Sequence, residues 1–285
     1  MPRLLPILRL LRVGTLFSPA ADVVASTAIA GLPWRWSIVG AVLAGVCLYA
    51  SGMVWNDVAD RRLDAVQRPE RPLPRGDVSL AFAVALACAL MLLGLLLSPC
   101  RFYHALIAAL VLAYDFAGKR SEWVGALCMG TLRALNLGTA LAIGGDTPPA
   151  TEKSLLIAAV CYGIYIVAVT ILGIFEDLPR VRARAVSAVQ TAPPLAALCG
   201  LWAVQGHLWP APVLAALPIV WFLRRNALAR TWDQVAIRRS MTFLLLGTMI
   251  YTSLLALAAG RWIEAVAIAL AIVPARRISR RIALT

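Results

Sequence analysis

The residues of this sequence best suited to chemistry are an amide and three carboxylates in one short segment. Asn56, Asp57, Asp60 and Asp64 lie in the run NDVADRRLD, and a helix of about 3.6 residues per turn would carry all four on one face. Carboxylates this close repel one another unless a cation joins them. Oxygen ligands with no histidine or cysteine nearby favour a hard ion such as Mg²⁺. The spacing therefore predicts a Mg²⁺ site.

A loop rich in arginine and proline follows these acids. Residues 68–76 read RPERPLPRG. Prolines and a glycine at these positions stiffen the loop, and guanidinium groups can grip phosphate through parallel hydrogen bonds. The alternative is a solvated loop in which arginines such as Arg61, Arg62 and Arg68 only neutralise the acids.

A second, shorter polar stretch begins at Glu176 and Asp177 and includes Arg180. Like the first, it follows an apolar run, and acids at the end of a membrane helix are costly and usually functional. Under the membrane orientation argued below, both stretches face the same side. The sequence therefore allows them to share one cavity.

The elements that must position these residues are membrane helices. The chain has 285 residues, 61% of them hydrophobic and 14% charged, with a mean hydropathy of +0.81, which is too apolar for a soluble globular domain. Most of its apolar runs reach the roughly 17 to 25 residues that cross a bilayer as a helix. We predict one all-α polytopic membrane domain over residues 1–285, with nine transmembrane helices and a possible short, re-entrant tenth. The runs are 15–31, 37–55, 79–98, 102–117, 123–144, 154–175, 187–206, 208–223, 240–259 and 262–275.

The excess of positive charge follows the membrane orientation. The chain carries 27 Lys and Arg against 14 Asp and Glu, a formal charge of +13, which could indicate a nucleic-acid partner. However, most of the basic residues fall in loops on one side if the N-terminus is cytoplasmic, which is the positive-inside pattern. We therefore predict no nucleic-acid partner and place both polar stretches at the cytoplasmic face. The six cysteines form no CxxC pair and are interpreted as small core residues.

At this point the sequence resembles a known family. Residues 56–64 fit the NDxxDxxxD pattern of UbiA-type intramembrane prenyltransferases at every specified position, and RPLPRG at 71–76 is similar to the RPLxxG segment that follows it in that family. Within the family the chain looks most similar to the EboC-like bacterial subgroup. The resemblance implies a UbiA-like helical bundle in a membrane, which we expect to be the bacterial inner membrane.

The resemblance also implies a reaction. Mg²⁺ held by both acidic stretches would bind an allylic prenyl diphosphate, stabilise the departing pyrophosphate, and leave a carbocation for capture by a small-molecule or lipid acceptor. By position, it implies catalytic roles for Asp57, Asp60 and Asp177. The implied metal contacts are Asp57, Asp60, Asp64, Glu176 and Asp177. The implied substrate-binding residues are Asn56, Arg71, Tyr114, Lys119, Arg133 and Arg180.

The second acidic stretch departs from the family pattern. The family has a second Asp four residues after the first, whereas this chain has Val181 four residues after Asp177. Three consequences are open: a weaker second metal site, compensation by Glu176, or direct neutralisation of phosphate by Arg180 and Arg182. An inactive or differently specialised protein is a further alternative.

Three charged residues have two interpretations each. Arg133, within a predicted span, either lines a substrate cavity or pairs with a nearby acid. Asp22 either binds or deprotonates the acceptor or has a neutral structural role. Lys119 either contacts diphosphate or anchors its loop at the cytoplasmic face. A rival function for the whole chain is transport, since intramembrane Asp22 and Arg133 could mark a pathway.

Overall fold

The computed structural model describes residues 4–144, 147–178, 182–204, 210–228 and 232–282. These ranges contain twelve α-helices and two 3₁₀ turns, which confirms the predicted all-α fold class. The helices are α1 Leu4–Leu10, α2 Phe17–Ile29, α3 Trp36–Gln67, α4 Leu80–Leu97, α5 Arg101–Phe116, α6 Glu122–Leu137, α7 Thr139–Ile143, α8 Pro149–Asp177, α9 Ala183–Val204, α10 Pro210–Leu228, α11 Gln234–Ala258 and α12 Trp262–Ile282.

Helix α3 is longer than its apolar run, and this corrects the predicted boundary at residue 55. The helix has 32 residues, about 48 Å at 1.5 Å per residue, so its last turns extend beyond a hydrocarbon core of roughly 30 Å. The segment after residue 55 contains no glycine or proline before position 69, so nothing in it breaks a helix. The acidic motif therefore lies inside α3. The helix ends where Arg68 precedes Pro69, a position that disfavours helical backbone.

Five described helices are long and apolar enough to cross a membrane: α3, α4, α8, α9 and α11. The N-terminal pair of helical segments, bent by 45°, adds a sixth if it forms one span. The predicted count of nine is therefore not confirmed. Helices α2, α5 and α6 have only 13, 16 and 16 residues, and the predicted run 123–144 is interrupted after Leu137, where α6 gives way to α7.

The chain forms two compact units. The first contains described residues 4–20, 34–118 and 270–282. In it, α3 packs against α1, α4 and α5, and the Ser51 hydroxyl on α3 donates to the Ala87 carbonyl on α4 at 2.8 Å. The apolar core of this unit reaches into the motif on α3, because Val58 belongs to both. That core consists of Leu10, Val54, Val58, Val78, Ala83 and Ala87.

The second unit contains the described residues of 21–33 and 119–269. Helix α8 is its centre and packs against α6, α9 and α11, while α10 packs against α9 and α11. Tyr162 and Tyr165 on α8 meet Tyr251 on α11, with the rings of Tyr165 and Tyr251 stacked 6.2 Å apart. The single domain over residues 1–285 stays a prediction.

Candidate active site

The centre of the candidate site is Arg71, which joins two of the predicted acids. Its Nη1 donates to Asp64 Oδ2 at 2.7 Å and to Asp57 Oδ1 at 3.3 Å. The three side chains are 14%, 4% and 6% exposed, in the order Arg71, Asp64, Asp57. Because one guanidinium nitrogen reaches both carboxylates, the structure confirms that Asp57 and Asp64 share a face of α3.

The loop after α3 holds Arg71 in place through its own backbone. Arg71 N–H donates to the Arg68 carbonyl, and the Arg75 N–H donates to the Arg71 carbonyl. The turn closes at Gly76, whose φ of 78° lies in the left-handed region that glycine adopts without steric cost. The proline- and glycine-rich sequence therefore folds as the ordered loop that was predicted.

A second arginine reaches Asp57 from the N-terminal segment. Arg12 Nη2 donates to Asp57 Oδ1 at 3.0 Å, from a residue with a left-handed φ of 49° just before the 3₁₀ turn Val13–Thr15. Arg12 was given no role in the sequence analysis beyond its place among the basic residues on the predicted cytoplasmic side. The available signal was its position just before the first apolar run, which places it on the same predicted side of the membrane as the acidic motif.

Asn56 is held by Asp115, a residue to which the sequence analysis assigned no role. Its Nδ2 donates to Asp115 Oδ1 at 3.2 Å, and Asp115 is buried on α5. Asp60 lies partly buried on α3, Tyr114 lies partly buried on α5, and Lys119 lies in the 3₁₀ turn Gly118–Arg120. The roles predicted for Asp60, Tyr114 and Lys119 stay predictions.

The carboxylate oxygens of this unit are suitable ligands for a hard cation. Mg²⁺ usually binds one or two carboxylates together with water and substrate phosphates, and Asp57 and Asp64 supply two carboxylates on one helix face. Each ionised carboxylate has about four acceptor sites, so contact with arginine does not use up its capacity. Among the residues that the structure describes, no three His, Cys, Asp or Glu side chains are placed to hold an ion by themselves. The full five-carboxylate metal set stays a prediction.

In the second unit, the predicted acids lie at the end of α8. Glu176 Oε1 accepts from Arg238 Nε on α11 at 2.7 Å, and the two side chains are 15% and 71% exposed. Asp177 is exposed and is the last residue of α8. Arg180 and Val181 lie outside the described residues. The metal and catalytic roles predicted for Glu176 and Asp177 are not tested by these contacts.

Arg133 forms a buried polar cluster within the second unit. Its Nη2 donates to Asp22 Oδ1 at 3.1 Å and also to the Tyr162 hydroxyl oxygen. Asp22 further accepts from the Tyr162 hydroxyl at 2.9 Å and from Asn136 Nδ2 at 3.0 Å. The pairing of Arg133 with a nearby acid, one of its two interpretations, is therefore observed. This ion pair explains how both charged side chains can be buried. The substrate-binding role of Arg133 stays a prediction.

Two curated relatives share part of the sequence. The chain is 34% identical over 112 residues to the digeranylgeranylglyceryl phosphate synthase of Saccharolobus solfataricus, which is 36% of this chain and 40% of that protein. It is 33% identical over 131 residues to the bacteriochlorophyll synthase 34 kDa chain of Chloroflexus aurantiacus, 41% of this chain and 42% of that protein. The chain thus spans about two-fifths of the length of these relatives.

Solved structures share the fold. A digeranylgeranylglyceryl phosphate synthase structure matches with a TM-score of 0.66 at 20% identity, covering 94% of this chain and 100% of that chain. A UbiA homolog from Archaeoglobus fulgidus, bound to GPP and Mg²⁺, matches with a TM-score of 0.59 at 17% identity, covering 90% of this chain and 99% of that chain. The model of the UbiA prenyltransferase family matches residues 16–246, a stretch that contains the acidic motif of α3 and the end of α8. The chain therefore belongs to the UbiA prenyltransferase family.

Proposed function

We propose that this protein transfers a prenyl group from an allylic prenyl diphosphate to an acceptor within the membrane, in a reaction that requires Mg²⁺. The observation that carries the proposal is the bridge from Arg71 to Asp57 and Asp64. Paired carboxylates and a guanidinium at the end of a membrane helix suit an amphiphile with an anionic head and an apolar tail. Family membership supports the same reaction, as does the solved homolog with GPP and Mg²⁺.

The first acidic motif supplies the ligands for the cation. Asp57, Asp60 and Asp64 would hold Mg²⁺, with Glu176 and Asp177 as the further ligands that the resemblance implies. When bound, the ion neutralises the diphosphate and stabilises negative charge on the leaving group. The carboxylates would then contact the ion as well as the arginines beside them, and both kinds of cation would neutralise their negative charge.

Arg71 is the residue that we expect to contact the departing pyrophosphate. Both of its observed contacts to carboxylates use Nη1, while its Nε and Nη2 carry three further N–H donors. These donors can reach phosphate oxygens and stabilise the charge that develops on them as the bond breaks. Tyr114 and Lys119, beside the end of α5, are proposed to contact the same diphosphate.

In the proposed step, the bond between C1 of the prenyl chain and the diphosphate oxygen breaks, and pyrophosphate leaves with the bonding electrons. A nucleophilic atom of the acceptor donates an electron pair to C1, and its proton passes to the released pyrophosphate. The relatives' names point to different products, digeranylgeranylglyceryl phosphate and bacteriochlorophyll. The proposal therefore specifies a small-molecule or lipid acceptor and no single compound.

We propose a location in the bacterial inner membrane with the active site at the cytoplasmic face. The apolar helices support an integral membrane protein, and the asymmetric distribution of arginine supports this orientation. Transport gains no support from the intramembrane charges, because Arg133 and Asp22 pair with each other. Such a pair explains their presence without a conduction pathway.

The proposal is tested by the release of pyrophosphate from a prenyl diphosphate by purified protein. Geranylgeranyl diphosphate is supplied with Mg²⁺ and a bacterial total lipid extract as the source of acceptor, and the wild type is compared with Asp57→Ala. The matched control is Asp77→Ala, because Asp77 pairs with the exposed Arg75 on the same loop. We expect release that stops with EDTA and in Asp57→Ala but continues in the control. Release that is independent of the metal, or unchanged in Asp57→Ala, would remove the catalytic assignment.

A further inference from the structure

A cavity of about 230 Å³ lies beside Asp57 in the first unit. Its walls come from three separate parts of the chain: the N-terminal segment, the acidic motif with its loop, and the end of α12. The cavity is therefore adjacent to the candidate metal site but is not made from the motif alone. Its lining residues are Arg9, Arg12, Gly14, Thr15, Asp57, Arg71, Pro72, Ser279 and Ile282.

The two chain ends dock directly on each other to form this cavity. Arg9 Nε donates to the Ile282 carbonyl at 3.3 Å. Gly14 lies so close to Ser279 that a methyl group at position 14 would overlap the Ser279 hydroxyl and backbone. Residues from both ends lie outside the stretch 16–246 matched by the family model. The cavity is thus built mostly from residues that the family pattern does not define.

The lining carries an excess of positive charge. Three guanidinium groups, from Arg9, Arg12 and Arg71, face a single lining carboxylate, that of Asp57. Each guanidinium has five N–H donors in a planar fork, and Asp57 accepts one hydrogen bond from Arg12 and one from Arg71. Arg71 is also paired with Asp64, so three guanidinium groups and two carboxylates leave a net positive charge, which attracts a phosphate monoester with its charge of about −1.5 to −2 at neutral pH. Guanidinium forks also match the geometry of phosphate oxygens.

The surroundings favour an amphiphile over a free anion. Pro72 and Ile282 add apolar surface to the lining, and the cavity lies at the end of apolar helices. The last turns of α12 carry four arginines, all exposed, which raise the positive potential at this face and attract anionic lipid. They are Arg276, Arg277, Arg280 and Arg281.

We propose that this cavity binds the phosphate of a single-chain phosphoryl amphiphile through Arg9 and Arg12, while Arg71, which also lines the cavity, keeps its further N–H donors for the diphosphate. We further infer that this amphiphile is the prenyl acceptor, and this second part rests on the proposed function. Asp57 links the two sites, because its carboxylate lines the cavity and belongs to the predicted Mg²⁺ ligands. A phosphate held here would place its own lipid next to the diphosphate of the donor.

Binding is tested with a matched pair of lipids in an uncharged detergent. The probes are 1-oleoyl-glycerol 3-phosphate and 1-oleoyl-glycerol, which share a tail and differ in the phosphate, and glycerol 3-phosphate tests for a free phosphate ester. Titrations follow the melting temperature of the full chain in EDTA without any prenyl diphosphate. We expect the phosphorylated lipid to raise the melting temperature with saturation. An equal effect of 1-oleoyl-glycerol, or of glycerol 3-phosphate, would overturn the proposal.

The variants Arg9→Gln and Arg12→Gln locate the binding. Loss of a charge-assisted hydrogen bond is expected to weaken the apparent affinity about tenfold or more, and Arg9→Lys should recover part of it. Two variants from different positions keep the test decisive if one of them does not fold. The matched control is Arg280→Gln, which removes the same charge from the exposed side of α12 and should change the affinity less than about twofold. Equal losses in Arg9→Gln and Arg280→Gln would overturn the cavity as the binding site.

The binding test and the test of the proposed function fail independently. Lipid binding in EDTA requires neither Mg²⁺ nor turnover, so it can succeed in a protein that releases no pyrophosphate. Conversely, Asp57-dependent pyrophosphate release without lipid binding would overturn the cavity alone. For the acceptor assignment, we expect a prenylated phospholipid product by mass spectrometry when both substrates are supplied. Binding of the lipid by a preparation that releases pyrophosphate but leaves the lipid unmodified would overturn that assignment.

Discussion

Replacement of Arg71 by glutamine should destabilise the protein far more than replacement of its neighbour Arg75. Arg71 is the only lining arginine that contacts both Asp57 and Asp64 among the described residues. Glutamine keeps a hydrogen-bonding end but removes the charge and shortens the side chain. Two buried carboxylates on one face of α3 would then face each other without their shared cation.

The magnitude follows from the two lost contacts. A hydrogen bond to a charged group contributes about 1.5 to 3 kcal/mol, and breaking a buried ion pair by removing one partner costs about 3 to 5 kcal/mol. Because Arg71 itself is 14% exposed, we take the lower end and expect a loss of about 3 kcal/mol in the free energy of unfolding. The Arg75–Asp77 pair, with side chains 56% and 26% exposed at 2.8 Å, should contribute about 0 to 1 kcal/mol.

The assay is reversible unfolding in mixed detergent micelles, followed by circular dichroism. The single variant Asp64→Asn and the double variant with Arg71→Gln complete a thermodynamic cycle, and the double variant should recover part of the loss because the unpaired carboxylate is gone. A loss below about 1 kcal/mol for Arg71→Gln, no larger than that of Arg75→Gln, would refute the buried bridge.

Two further predictions concern the second unit. Arg133→Met should lower the free energy of unfolding by about 3 to 5 kcal/mol, because it leaves Asp22 buried without its cation. Adding Asp22→Asn should restore most of this loss. A double variant as unstable as the single one would contradict the pairing. Gly200→Ala should cost about 1 to 3 kcal/mol, because the new methyl group would overlap the Tyr251 hydroxyl. Tyr251→Phe should relieve that cost, and both effects are measured by the same unfolding assay.

The sequence predicted the shared helix face of Asp57 and Asp64 and the ordered loop that follows it. Asp57 and Asp64 are seven positions apart, about two helical turns, so their shared face follows from spacing as soon as the segment is helical. The ordered loop followed from the conformational limits of proline and glycine. Both predictions depend only on short stretches of chain, where backbone geometry leaves few alternatives.

Contacts between distant parts of the chain could not be predicted. Arg12 meets Asp57 across 45 positions, and Asn56 meets Asp115 across 59. For Arg133, both interpretations were open until the fold placed Asp22 beside it across 111 positions. Residue type gives the chemistry of such a contact, whereas helix packing decides which partner is within reach.

The end of α3 was missed for a different reason. Hydropathy finds where an apolar run ends, but a helix continues as long as backbone propensity allows. Residues 56–67 include seven polar or charged side chains among twelve and are still helical. Likewise α12 continues through Pro274 to Ile282, past the end of the apolar run at 275, so its arginines belong to the helix and not to a tail.

The most direct test of the central claim is the binding of Mn²⁺, a paramagnetic substitute for Mg²⁺, followed by electron paramagnetic resonance. The protein is titrated in the presence of a non-reactive prenyl thiolodiphosphate, in the wild type, Asp57→Asn and the control Asp77→Asn. If carboxylates of α3 hold the cation together with the diphosphate, bound Mn²⁺ depends on the analogue, is lost in Asp57→Asn, and is retained in Asp77→Asn. Equal Mn²⁺ binding in all three proteins, with or without the analogue, would contradict the account.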